Sequence, residues 1–272
     1  MILRKISFKT ALSEAFCDIR EGLTQYSLAA MLGWQDIRQR YRRSALGPFW
    51  LTISMGVMIG TIGVVFGQLF ASPMREFLPF LTIGLVLWGF IATAVGEACL
   101  VFIHSEGIIK QLPLPLFLHL MRMMWRNIII FCHNILILPL VFLFFGLDFP
   151  RTVLLSIPGF VILVMNLLWI SLLLGVICSR FRDLYQIVMS LLQIVFYVTP
   201  ILWMPHLVPK RVGSYLIGIN PVYHVMEIVR SPLLGKMPSM LNWEVSLALM
   251  VLGWLGAMFL YGSYRQRIAY WL

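Results

Sequence analysis

Six stretches of this 272-residue chain are apolar over about the 20 residues a helix needs to cross the hydrocarbon of a bilayer. They lie at roughly 49–70, 77–103, 124–145, 153–178, 184–203 and 244–263. Only helices and closed barrels satisfy their backbone polar groups in lipid. Runs of this length therefore predict an all-α membrane protein with six transmembrane helices. Composition agrees: apolar residues make up 60% and charged residues 12% of the chain, and the mean hydropathy is +0.90. No soluble domain of useful size remains, so residues 1–272 are expected to form one membrane domain.

The charges set an orientation. Before the first span the chain reads RQRYRRSALGPFW at 38–50, and basic residues beside a span are retained on the cytoplasmic side. An even number of spans puts both termini on one side. Of the 21 lysines and arginines, fifteen then fall on that side: eight before the first span, Lys110, Arg122, Arg126, Arg180, Arg182, Arg265 and Arg267. Arg75, Arg151, Lys210, Arg211, Arg230 and Lys236 fall on the other. The expectation is a multi-pass membrane protein with both termini cytoplasmic. The net charge of +10 is then topological charge and attraction to anionic headgroups, not a sign of nucleic acid. Residues 1–30 lack a continuous apolar core and carry Glu14, Asp18 and Glu21, which argues against a cleaved signal.

Three segments are neither spans nor plain loops. Residues 10–43 hold an amphipathic pattern, with Leu12, Phe16, Ile19 and Leu23 at helical spacing, followed by Leu28, Leu32 and Ile37 near Trp34. Such a segment lies on a membrane or docks on a partner. Residues 105–112 predict a short helix with Ser105 as N-cap and Glu106 in its first turn, stopped by Pro113 and Pro115. It is either an exposed contact for another protein or a turn. Residues 206–219 and 222–234 flank Asn220–Pro221, each covering about half the hydrocarbon at 1.5 Å per residue. They form either a re-entrant pair or an irregular loop.

Several chemistries are missing. There is no GxxxxGK[ST]; the one Gly–Lys pair, Gly235–Lys236, is followed by Met. Glu97 is the main ionisable residue well inside a span, where an ion-driven carrier would place several. His104, His119, His133, His206 and His224 show no HExxH or paired-carboxylate pattern, and the chain is not expected to be an enzyme. Cys17, Cys99, Cys132 and Cys178 have no metal spacing and are read as small apolar residues. In the first span Gly56, Gly60, Gly63 and Gly67 make a smooth stripe. Small faces let helices approach closely in lipid, within one subunit or between subunits.

RYRRSALGPFW at 40–50, SRFRDL at 179–184, YVTPILW at 197–203 and INPVYHVMEIVR at 219–230 together resemble the membrane subunits of ABC-2-type polysaccharide exporters, of the O-antigen and capsule branch. The first matches that family's R-Y-[RK]-x-S-x-L-G-x-x-W lead-in to span one. The resemblance implies a second copy of this chain and separate ATP-binding subunits, with ATP and Mg bound there and no cofactor on this chain. It implies that 24–43 meets the ATPase and that 105–112, with Ser105, Glu106, Ile108, Lys110 and Gln111, is the coupling helix. Residues 206–234 would be paired re-entrant helices on the periplasmic side. The cargo it implies is a lipid-linked glycan on polyprenyl pyrophosphate. Arg40, Arg42 and Arg43 stand where such a pyrophosphate would arrive, since guanidinium forks suit phosphate. Trp88, Phe90, Phe196, Tyr197 and Trp203 occupy spans that the family places around its pore, and aromatic faces pack on sugars. Export of capsule, teichoic acid or a hydrophobic drug, or a membrane-bound lipid or sugar transferase, are the alternatives.

Overall fold

The computed structural model describes residues 8–42, 47, 49–205, 209, 215 and 217–272. Among them the chain is all-helical, without strands. The helices are α1 (Phe8–Thr24), α2 (Tyr26–Tyr41), α3 (Phe49–Leu69), α4 (Met74–His104), α5 (Glu106–Gln111) and α6 (Leu116–Asn134). They continue with α7 (Ile137–Phe145), a 3-10 turn (Arg151–Leu155), α8 (Ser156–Arg180), α9 (Leu184–Val198), α10 (Pro221–Leu233) and α11 (Met240–Trp271).

Among the described residues five segments are long and apolar enough to cross a membrane: Phe49–Leu69, Met74–Gln111, Leu116–Phe145, Arg151–Arg180 and Met240–Trp271. The stretch expected as span 184–203 is helical only over the 15 residues of α9, about 22 Å. That is short of the roughly 30 Å of hydrocarbon. Its end has a local cause: Thr199 is extended (ψ 135°) because Pro200 follows, and the residue before proline is driven from the α region. The third span, expected from residue 124, begins at Leu116 and breaks between α6 and α7. Pro139 lies two residues into α7 and its ring excludes a helical carbonyl at Ile135. The second and last spans are likewise longer than expected.

α4 is the hub. Within its most apolar window 78% of the residues are buried, against 11% in α3. It packs on α3, α6, α7, α8 and α9. α9 buries no residue within this chain. The bundle has a basal end, where α1 and α5 meet α11 and α1 and α2 meet α6, and a distal end, where α10 packs.

α1 docks by a face other than the one its large apolar residues mark. Phe16 and Leu23 are exposed, whereas Ala11, Ala15, Asp18 and Ile19 are buried. The backbone of Ala11 lies directly against Gly262 of α11, where any Cβ would collide with the Ala11 carbonyl. Gly262→Ala is therefore expected to cost about 1–3 kcal/mol by overpacking. Gly256→Ala on the same helix meets open space and should be neutral or slightly stabilising. Thermal unfolding of the two purified variants, followed by size-exclusion fluorescence, checks the pair; equal midpoints would contradict the close approach.

Asp18 is fully buried and gathers three helices. Its Oδ2 accepts from the Phe117 N–H (3.0 Å) and the Tyr261 hydroxyl (2.5 Å). Its Oδ1 accepts from the Leu116 N–H (3.3 Å) and pairs with Arg265 (2.9 Å). The first N–H groups of a helix lack intrahelical partners, and α6 starts after Pro115, so Asp18 caps it from across the fold.

At the distal end α10 is only 13 residues long. Asn220 caps it, its Oδ1 accepting from the N–H of Val222 (3.0 Å) and Tyr223 (3.2 Å). Its amide donates to Thr199 Oγ1 at 2.8 Å. The other half of the expected re-entrant pair, 206–219, lies mostly outside the described residues. Arg230, counted from the sequence among the outer charges, is completely buried. It pairs with Glu227 through two bonds (3.1 and 3.0 Å), donates to the Pro200 carbonyl (2.5 Å) and sits 4.2 Å from the Phe80 ring centroid.

Candidate functional site

The basal end holds a cavity of about 680 Å³ between α2, α4, α6 and the start of α9. Its polar wall is a chain of charges from three helices. Arg122 of α6 makes a bidentate pair with Asp36 of α2 (2.8 and 2.5 Å). Arg126, one turn on, bridges Asp36 (2.9 Å) and Glu97 of α4 (2.6 Å). Asn127 donates to the same Glu97 oxygen at 2.7 Å. Exposed ion pairs contribute at most about 1 kcal/mol, but these side chains keep only 14–23% of their surface in contact with the outside. Glu97 is thus not alone in its span.

Arg40 completes the wall. It lies one turn beyond Asp36 on α2 and also lines a second hollow of about 550 Å³ between α3, α4 and α6. With Asp36 and Glu97 both engaged by Arg122 and Arg126, Arg40 is the surplus cation of the site, without a carboxylate partner among the described residues. The arrangement is suited to receiving an anion at the membrane surface, since a guanidinium presents a fixed fork of donors. Arg42 is exposed nearby in sequence, and Arg43 lies outside the described residues.

α5 occupies the stretch expected for the short helix. Ser105 makes no side-chain cap bond and is itself buried; Glu106 and Lys110 pair along the helix at 2.6 Å. Lys110, Gln111 and Gly107 are exposed, and Ile108 is half-buried.

Four of the five aromatics converge. Trp88 packs on Phe196 (5.5 Å between centroids), which meets Tyr197 (5.3 Å), and the Trp203 indole donates to the Tyr197 carbonyl at 3.2 Å. Phe90 stands apart, buried against Phe131 and Phe160. The glycine stripe is divided as well. Gly63 and Gly67 take the side chains of Leu78 and Met74 inside the subunit, whereas Gly56 and Gly60 face open space.

Sequence reasoning missed Arg126 and Asn127 as partners of Glu97, and Asp36 and Arg122 as the pair that extends the chain of charges. A signal was present: Arg122 and Arg126 are four residues apart, on one face of a helix next to a span with an acid in it.

The fold and site define a multi-pass α-helical membrane body with a charged basal cleft. The chain belongs to the ABC-2 type transporter family, whose model matches residues 28–234. Among curated proteins it is similar to the O-antigen export system permease protein RfbA of Myxococcus xanthus, 25% identical over 76% of this chain and 80% of that protein. The same-named protein of Klebsiella pneumoniae is 25% identical over 85% of this chain and 88% of its own. The polysialic acid transport protein KpsM of Escherichia coli is 24% identical over 86% and 90%.

Proposed function

We propose that this chain is the permease subunit of an ATP-driven exporter that carries a lipid-linked polysaccharide, of O-antigen type on polyprenyl pyrophosphate, across the bacterial inner membrane. The observation that carries the reading is its likeness, over 76–85% of its length, to O-antigen export permeases. The match to KpsM over 86% of the chain favours capsular polysaccharide as the second reading.

In this reading the basal end is cytoplasmic and both termini lie there. Two copies work with separate ATP-binding subunits, which hold ATP and Mg. α5 seats in the ATPase, and residues 24–43 meet its surface. Closure of the ATPases then pushes on the basal end. Gly56 and Gly60, left open on α3, and the uncovered face of α9 supply a seam for the second copy. Arg40 and Arg42 receive the pyrophosphate of the cargo, and Trp88, Phe196, Tyr197 and Trp203 offer flat surface to sugar rings.

The test is co-purification with the ATP-binding subunit encoded beside it, followed by ATP hydrolysis with and without lipid-linked glycan. Stimulation by the glycan is expected. R40Q/R42Q should lower it about tenfold, the worth of one charged hydrogen bond, with assembly intact. Turnover by the chain alone without ATP would sink the reading. Unchanged stimulation in the double variant would return the arginines to orientation alone.

A further inference from the structure

A second basic hollow lies at the basal end, sharing no lining residue with the Arg40 cleft. It has a volume of about 820 Å³ and opens between the last turns of α8 and α11. Its floor is apolar: Val176 and Ile177 on α8 and Leu260 on α11. Toward the helix ends the wall mixes cations with aromatics: Arg180 and Phe181 after α8, and Tyr264, Arg267 and Trp271 on α11. On α11, Leu260, Tyr264, Arg267 and Trp271 recur at helical spacing, so these four share one face, over about 16 Å.

The two arginines are ordered but not neutralised. Arg180 lies 5.6 Å from the Trp271 ring and 5.9 Å from Phe181, and Arg267 lies 5.7 Å from Tyr264. An aromatic face orients a guanidinium yet leaves its edge donors free. Among the described residues no carboxylate side chain lines the hollow and neither arginine makes an ion pair; Glu14 reaches the Gln266 amide (3.4 and 3.5 Å). Two uncompensated forks above an apolar floor, at the ends of two spans, complement an amphiphile with a phosphate headgroup.

We infer that this hollow binds an anionic phospholipid of the surrounding membrane, with its phosphodiester between Arg180 and Arg267 and its acyl chain along Val176, Ile177 and Leu260. Basic pockets between spans on the side of an anionic leaflet take such headgroups. The site concerns the host membrane and not the cargo, so it stands whatever glycan is exported.

The test uses the full chain in mild detergent, with phosphatidylglycerol or phosphatidylcholine added and bound lipid counted by native mass spectrometry. Phosphatidylglycerol should be retained about 30-fold better, from roughly fivefold for each arginine near an anionic surface. R180Q/R267Q should bring it to the phosphatidylcholine level. R75Q/R151Q, the same charge change at the distal end, should leave the preference intact. If the double variant does not elute as folded protein, each single variant should lose about fivefold. Equal retention of the two lipids by the unmodified chain, or an unchanged preference in the folded variants, overturns the proposal. So does displacement of the lipid by inorganic phosphate at equal concentration, which would make the source a free anion. Loss of ATPase association with lipid preference intact would place an acidic protein surface there instead.

Discussion

Arg230→Met should lower the thermal midpoint of the detergent-purified protein by roughly 10 °C, the equivalent of about 3–5 kcal/mol at this chain length. The cost lies less in the lost bonds than in what remains. Glu227, 9% exposed, would lose its main partner and be left buried with the Ser231 hydroxyl. The Pro200 carbonyl would lose its donor at the turn that ends α9. Arg230→Met/Glu227→Gln removes the charges together and is expected to recover most of the loss, because an apolar substitute for a complete buried pair is often neutral. Melting curves of the single and double variants decide it. Equal losses in both would mean that the pair itself, rather than its isolation, carries the stability.

Asp18→Asn should be nearly as damaging although it is almost isosteric, with an expected cost of about 3 kcal/mol. The amide nitrogen cannot accept, so one of the two α6 N–H groups loses its partner together with either Tyr261 or Arg265, and Arg265 loses its counter-charge in both cases. The effect should be local. Hydrogen exchange is expected to rise over 8–24 and the first turn of α6, with α8 unchanged. A uniform rise across all helices would show that Asp18 holds the whole bundle and not the basal end alone.

Five of the six expected spans and the short α5 were legible in the sequence, because apolar length is a local property; the proline-set breaks were not, since the apolar run 184–203 continues through Pro200 and 124–145 through Pro139. The docked face of α1 was not. In water, the large apolar residues of an amphipathic helix point to the core. At a membrane surface that rule fails, since large apolar residues can rest on lipid while small ones let helix backbones approach closely. Ala11 and Ala15 therefore turn inward against Gly262, while Phe16 and Leu23 face out. Arg230 misled for a related reason. Its position between spans reads as an exposed loop, and only the packing of α10 on Phe80 and Pro200 buries it. The basal site was legible in part. Arg40 was found from its place in RYRRSALGPFW, but its status as the surplus cation depends on which acids Arg122 and Arg126 engage.

The buried carboxylate on α1 also imposes an order in time. A ribosome makes Asp18 long before Leu116 and Phe117, and longer still before Tyr261 and Arg265. Until the final helix has been threaded into the bilayer, that acid has no complete set of partners, and burying it would be costly. The site that α1 needs is therefore complete only once α11 is in place, so the first helix made depends on the last.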